Sequence, residues 1–274
     1  MTMLSINTNI GALNASQSSY SVNNSMETSM ARLSSGNRIN SAADDAAGLQ
    51  IARRMDTEIQ GLNQAVRNAA DAQALLQTAE GALDEVHTIL LRIRELSVQA
   101  SNGTYGAQDR LAIQAEVTDL QSEITRISND TTWNSISLIE GSQSTGITFQ
   151  IGADNTQTVT VAIANIALAT LSIGGTSQVT TATNAMSYIA AVDKAISVIS
   201  TNRGTYAAAI NRLDHSVANM QNIATNLAAA KGRIEDADFA AETANLARAQ
   251  VLQQASMAML AQANASKQNI LTLI

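Results

Sequence analysis

Two histidines, His87 and His215, and two acidic clusters are the residues whose types could carry chemistry in this chain of 274 residues. A zinc centre needs three or four converging ligands, commonly histidines and thiolates. The chain has no cysteine, and its two histidines stand far apart without companions. No metal is therefore expected, and both histidines are expected on a surface or in a helix seam. Asp44 with Asp45, and Glu235 with Asp236 and Asp238, could in principle form an acid–base pair or a cation site. Acids also gather where a helix begins, because the helix dipole favours negative charge there, and that reading suffices. No GxSxG, phosphate-binding loop or GxGxxG stands in a strand–loop–helix context. Neither enzymatic activity nor a cofactor is expected.

The charged residues of LLRIRELSVQ (90–99) raise a different chemistry, that of contact. Leu90 and Ile93 continue an apolar stripe. Arg92, Glu95, Leu96 and Gln99 fall on an adjoining face at helical spacings, where Arg92 can meet Glu95. A solvated face explains the charges but does not require Leu96, so this segment is expected to touch a neighbouring molecule. Arg203 and Lys231 interrupt a second apolar stripe. Each could snorkel at the edge of a bundle or pair with an acid on the next helix and fix its register.

The elements that position these residues are written in the composition. Hydrophobic residues make up 45% of the chain, yet aromatics only 3%, and there is no proline, where average usage would supply about fourteen. Small aliphatics without helix breakers suit long helices packed side by side. A net charge of −7 leaves no basic stripe for nucleic acid. No stretch approaches the ~20 apolar residues of a membrane span, so no membrane insertion is expected. The start, MTMLSINTNIGALNASQSSY, has neither a basic region nor a continuous apolar run and is not expected to act as a Sec signal peptide.

Along the chain, Leu4, Ile6, Ile10, Leu13, Val22, Met26, Met30 and Leu33 form a thin helical stripe that needs a partner helix. In SSGNRINSAADDAAG (34–48), Gly36 can end that helix in the left-handed conformation. Ser41 and Asp44 fit a capping box opening the next, with Asp44 and Asp45 in its first turn. Met55, Ile59, Leu62, Val66, Ala69, Leu76, Ala79, Leu83, Val86, Leu90 and Ile93 follow heptad spacing. A helix over 42–100 would be roughly 85 Å long, with Gly103 as its expected cap. A shorter helix carries Ile113, Val117, Leu120, Ile124 and Ile127.

Alternation of Ile147, Phe149 and Ile151 with Val159, Val161 and Ile163 predicts one β-hairpin near 146–163. The rest of 142–183 reads as a short, variable surface loop. The heptad then returns from Ile189 through Ile199, Tyr206, Leu213 and Met220 to Ile234. A last helix bears Phe239, Leu246, Leu252 and Leu260 and runs on to Ile270 and Leu271. Apolar segments at both ends are a liability unless they pair with each other and with further copies. The expected fold is mainly α: an elongated, folded-back rod of long antiparallel coiled-coil-like helices with one small hairpin, its N- and C-terminal helices paired.

INTNIGALNA (6–15), RLSSGNRINSAADDAAGLQIA (32–52), LRIRELSVQAS (91–101), RIEDADFAAE (233–242) and ARAQVLQQASMAMLAQANAS (247–266) resemble bacterial flagellins, in the family's order. The resemblance implies an inner layer made of residues 1–41 and 236–274, a surrounding helical rod of 42–235, and assembly as a homopolymeric helical filament for swimming. It identifies Leu4, Ile6, Ile10, Leu13, Leu33, Phe239, Leu246, Leu252, Leu260, Ile270 and Leu271 as inner-layer assembly residues. It also implies flagellar type III export to the outside of the cell, an export chaperone, a filament cap and junction proteins as partners. Arg92, Leu96 and Glu116, with Glu95, match the epitope read by the vertebrate Toll-like flagellin receptor. A hook–filament junction protein and a secreted coiled-coil adhesin are the alternative readings. Larger relatives insert whole domains where this chain has only 142–183, and no HExxH of a protease insert is present. Ser135 stands where relatives usually have Gly, Lys267 replaces a common proline, and a usual terminal arginine is missing after Ile274. An altered turn after Trp133-Asn134 and an altered last helical turn are expected in consequence.

Overall fold

The computed structural model describes the backbone of residues 8–143, 145–175 and 178–271, with side chains through Ser266. Leu4, Ile6, the side chains of Lys267, Ile270 and Leu271, and the end of the chain lie outside the described residues. The chain is mainly α, with helices α1 (Ile10–Ser35), α2 (Ala46–Ser101), α3 (Ala107–Asp130), α4 (Leu168–Leu171), α5 (Ala182–Glu235) and α6 (Phe239–Leu271). Four short strands are β1 (Thr132–Trp133), β2 (Ile136–Ser137), β3 (Ile147–Gln150) and β4 (Thr158–Val161). The chain divides into two compact units, Gln60–Ala224 and the combination of Met1–Ile59 with Thr225–Ile274.

The unit Gln60–Ala224 has a buried apolar seam. On α2, Leu62, Ala69, Leu76, Ala79, Leu83, Val86, Leu90 and Ile93 are buried, the three-and-four stepping that a coiled-coil-like contact requires. Ala65 and Ala72 complete that stripe, while Val66 is only half-buried. On α5 the buried positions recur every seventh residue: Ala185, Val192, Ile199, Tyr206, Leu213 and Met220. Their heptad partners Ile189, Ile196, Ile210 and Val217 sit half-buried at the seam's edge. Ser97 is fully buried and satisfied locally, its hydroxyl donating to the Ile93 carbonyl at 2.6 Å.

Three expectations change in this unit. Gly103 does not take the left-handed conformation and does not cap α2. Arg110 does that work from α3, donating through Nε to the Ala100 carbonyl at 2.8 Å and through Nη2 to that of Asn102 at 3.0 Å. There are two hairpins rather than one: β3 pairs β4 with Phe149 opposite Val159, and β1 pairs β2 with Trp133 opposite Ile136. Asn134 (φ 47°) and Ser135 (φ 65°) form the tight turn of the second, the left-handed pair that a two-residue hairpin needs. Nor is 142–183 a loose surface loop. Val159, Val161, Ile163, Ile166, Leu171, Ile173 and Val179 are buried.

Side chains on the long helices clip this connecting segment down. Gln114 Oε1 accepts from Val179 N–H at 2.8 Å, and Tyr206 Oη from Ala164 N–H at 2.7 Å. Gln121 and Tyr188 both donate to the Ile173 carbonyl, at 2.6 and 2.9 Å. Burial pushes both tyrosine hydroxyls above their ordinary pKa, so they stay protonated. The β3–β4 hairpin is tied to α2 by Asn68, which donates to the Gln150 carbonyl at 3.1 Å.

In the other unit, α1 pairs with α6. Gly36 (φ 75°) ends α1 as expected. The strand-like bridge of Asn37 to Asp236 then ties the α1 exit to the α5–α6 junction. Arg38 N–H donates to the Glu235 carbonyl at 2.6 Å and Ala237 N–H to that of Gly36 at 2.9 Å. Asp44 does not enter the next helix. Its carboxylate accepts from the backbone of Ser41 (2.8 Å) and Asn40 (3.1 Å) in the preceding turn, and Asp45 accepts from Gly48 N–H at 2.9 Å at the start of α2.

Candidate interaction surfaces

The charged cluster around Arg92 lies within the unit Gln60–Ala224. α2 presents Arg92 and Glu95 one turn apart, and α3 brings Glu116 against them. Arg92 Nη1 meets Glu95 Oε2 at 2.7 Å, while Nε and Nη2 share Glu116 Oε1 at 3.0 and 2.8 Å. The two carboxylates, Glu116 foremost, hold the guanidinium pKa above its ordinary value. All three side chains are open to solvent. Coulomb attraction there is weak, so the cluster orders a surface more than it stabilises a fold.

Leu96 is not on that surface. It is 2% exposed and belongs to the core, because it lies about 140° around the helix from Leu91 at the ~100° per residue of an α-helix. The apolar members of the outer face are Leu91 and Val98, both exposed. They stand seven residues apart, flanking Glu95 on one side of α2. Sequence reading missed them because a position off the seam carries no periodic signal of its own. Gln99 is exposed and donates to the Tyr105 hydroxyl at 3.1 Å.

The second surface is the α1–α6 pair. Ile10, Leu13, Leu252 and Phe239 are exposed, Phe239 at 65%, whereas Leu33, Leu246 and Leu260 are half-buried. Tyr20, 70% exposed, joins them and was not foreseen, nor was the exposure of Met30, Val251, Met257 and Met259. Two hollows line the pair, each a little over 500 Å³ (530 and 540 Å³) and both walled by Leu252. One is mostly apolar in surface, with Ala15, Ala255 and Met259 beside Asn14, Ser18 and Gln262. The other holds Arg32 and Glu242, whose Nη1 and Oε1 approach to 3.5 Å across the two helices. Polar ties set the register: Gln253 donates to Asn23 Oδ1 at 2.8 Å and Asn9 to the Ala263 carbonyl at 3.1 Å.

Of the two readings open for the seam cations, the structure selects pairing. Arg203 reaches Glu80 and Asp84, each at 2.7 Å. Lys231 reaches Asp56 at 2.7 Å and Glu235 at 3.7 Å. The pKa of each cation is raised, chiefly by the hydrogen bond to Glu80 and to Asp56 respectively. His87 is half-buried and His215 exposed on separate helices. Among the described residues no three His, Cys, Asp or Glu side chains converge on a point where a metal ion could sit. No helix among them is long and apolar enough to cross a membrane.

Comparison with known proteins points to one family. Residues 6–144 match the bacterial flagellin N-terminal helical region and residues 189–274 the bacterial flagellin C-terminal helical region. A flagellin of Halalkalibacterium halodurans is 42% identical over 270 residues, covering 98% of this chain and 99% of that one. A flagellin of Bacillus subtilis is 39% identical over 301 residues, covering 98% and 99%. The crystal structure of Bacillus cereus flagellin superposes with a TM-score of 0.51 at 33% identity, covering 60% of this chain and 94% of that one. A putative flagellar hook-associated protein from Vibrio parahaemolyticus shares the fold at a TM-score of 0.60 and 14% identity, covering 70% and 100%. The chain belongs to the bacterial flagellins, the family of structural subunits of the flagellar filament.

Proposed function

We propose that this chain polymerises into a helical filament that drives swimming, and that its two exposed surfaces are covered by other copies of itself. The observation that carries this reading is the apolar surface of the α1–α6 pair. Phe239, Tyr20, Leu13 and Val251 lie open on helices that already have a partner, more than a lone soluble molecule keeps without cause. Residues 1–41 and 236–274 form the inner layer and 42–235 the surrounding one. Leu4, Ile6, Ile270 and Leu271 extend the same apolar character in sequence. Subunits leave the cell through the flagellar type III apparatus, a chaperone covers the C-terminal helix before export, and a cap complex and junction proteins bound the growing filament.

The Arg92–Glu95–Glu116 cluster faces an axial neighbour in the filament. On a free subunit, the vertebrate Toll-like flagellin receptor reads Arg92 and Glu116, with Leu96 supporting the face from beneath. Incubating purified subunits with filament seeds tests the whole reading. Long filaments are expected in electron micrographs; a small soluble oligomer at every subunit concentration, the behaviour of an adaptor or adhesin, would overturn it. Arg92→Ala is expected to impair both seeded growth and receptor signalling. If both survived it, the assignment of this face would be wrong.

A further inference from the structure

Among the described methionines, Met220 in the α5 seam is 5% exposed, whereas Met30 in α1 and Met257 and Met259 in α6 are 53%, 61% and 64% exposed. Met186, at the start of α5, is also exposed. Met259 walls the mostly apolar hollow of the α1–α6 pair beside Leu252, Ala255 and Ala263. Met257, two residues away, projects about 200° around the helix, so thioethers stand on two faces of α6. A thioether is apolar and adaptable, and it is readily oxidised to a polar sulfoxide.

We propose that Met30, Met257 and Met259 form a peroxide-sensitive modification site of the free subunit, and that their sulfoxides block its addition to a filament. The proposal rests on the filament reading above. In each case the sulfur lone pair attacks one oxygen of hydrogen peroxide and the O–O bond breaks. The departing hydroxide takes the proton from the transferred hydroxyl and leaves as water. Sulfur loses two electrons and peroxide gains them, so nothing else is consumed. The new S=O is a strongly polar acceptor on helix faces that also expose Val251 and Leu252, and at Met259 it stands in a mostly apolar hollow beside Leu252, Ala255 and Ala263. Burying it against another copy costs the desolvation of a polar group that the thioether did not carry. Once a subunit is incorporated, the neighbours that cover these helices shield the sulfurs. Sulfoxide reductases reverse the lesion with two electrons from a dithiol, which becomes a disulfide as the oxygen leaves as water, and this makes it a switch on assembly.

The test treats free subunits and intact filaments with dilute hydrogen peroxide, quenches, and maps oxygen uptake by peptide mass. In free subunits Met30, Met257 and Met259 are expected to gain oxygen well before Met220, and in filaments they are expected to be protected. Treated subunits are expected to extend seeds at least about fivefold more slowly. In the variant M30L/M257L/M259L the ratio of treated to untreated rates is expected to stay near one, whatever its untreated rate. Three measurements would each overturn the proposal: unchanged growth by subunits fully oxidised at these positions, equal uptake at Met220, or a variant as sensitive as the parent. Untreated subunits that fail to extend seeds would instead overturn the filament reading itself, and that control separates the two failures.

Discussion

The two units of this chain draw on one alphabet of Ala, Leu, Ile, Ser, Asn and Gln and use it oppositely. In Gln60–Ala224, aliphatics recur on a strict heptad and disappear into the seam: Leu76, Leu83, Leu90 and Ile199 are fully buried. In the unit of Met1–Ile59 with Thr225–Ile274, α1 and α6 meet through Gln253–Asn23, Asn9–Ala263 and Arg32–Glu242. Ile10, Phe239, Val251 and Met257 remain outside. The first unit completes its core within one chain. The second has the apolar content but not the third layer that would bury it, which is what a subunit needs if assembly is to stabilise it.

That contrast orders the substitutions. Leu90→Ala leaves a cavity in the closed seam and is expected to destabilise the free subunit by about 2–5 kcal/mol in urea denaturation. Phe239→Ala removes a larger side chain, yet is expected to change free-subunit stability by under about 0.5 kcal/mol, as surface positions do, while abolishing seeded growth. A large loss of free-subunit stability in the second case would break the comparison. Tyr206→Phe deletes the acceptor of Ala164 N–H and is expected to cost about 1–2 kcal/mol, read as a lower denaturation midpoint. Ser135→Gly relieves a left-handed φ on a residue with a Cβ and is expected to raise stability by about 0.5–1 kcal/mol.

The electrostatic effects are smaller. Arg203→Met, removing the ties to Glu80 and Asp84, is expected to cost under about 1 kcal/mol and less in high salt. Asp44 is held below its ordinary pKa of 3.8, first by the Ser41 and then by the Asn40 backbone N–H. A carboxylate depressed in the folded state contributes stability above its unfolded value and loses it as pH falls through the folded one. Protection of the Asn40 and Ser41 amides, taken relative to their intrinsic exchange rates, is therefore expected to fall below about pH 4 in the parent, and to be absent at every pH in Asp44→Ala.

The sequence was most legible where one period governs many residues. The α2 and α5 stripes, the Gly36 stop and the β3–β4 alternation all stand in the structure, because burial enforces periodicity. It was least legible where one residue decides. Leu96 lies within the apolar arc of α2, and only the partner helices determine whether that arc closes over it. The β1–β2 hairpin has two residues per strand, too few to alternate, and its Asn134-Ser135 turn lacks the expected glycine. The polar look of 142–183 hid spaced aliphatics such as Ile166, Ile173 and Val179; the backbones of the last two are anchored by Gln121, Tyr188 and Gln114, distant in sequence. Whether Arg203 and Lys231 snorkel or pair depended likewise on acids more than a hundred residues distant.

The open apolar surface of α1 and α6 is the central feature, and residue-resolved hydrogen exchange on free subunits and on filaments tests it most directly. The expected result is fast exchange along Ile10–Ser35 and Phe239–Leu271 in the free subunit and protection raised at least about a hundredfold in the filament. Amides between Leu76 and Ile93 are expected to be equally slow in both. Equal protection of α1 and α6 in the two states would contradict the assignment, for it would mean that this surface needs no other copy to cover it.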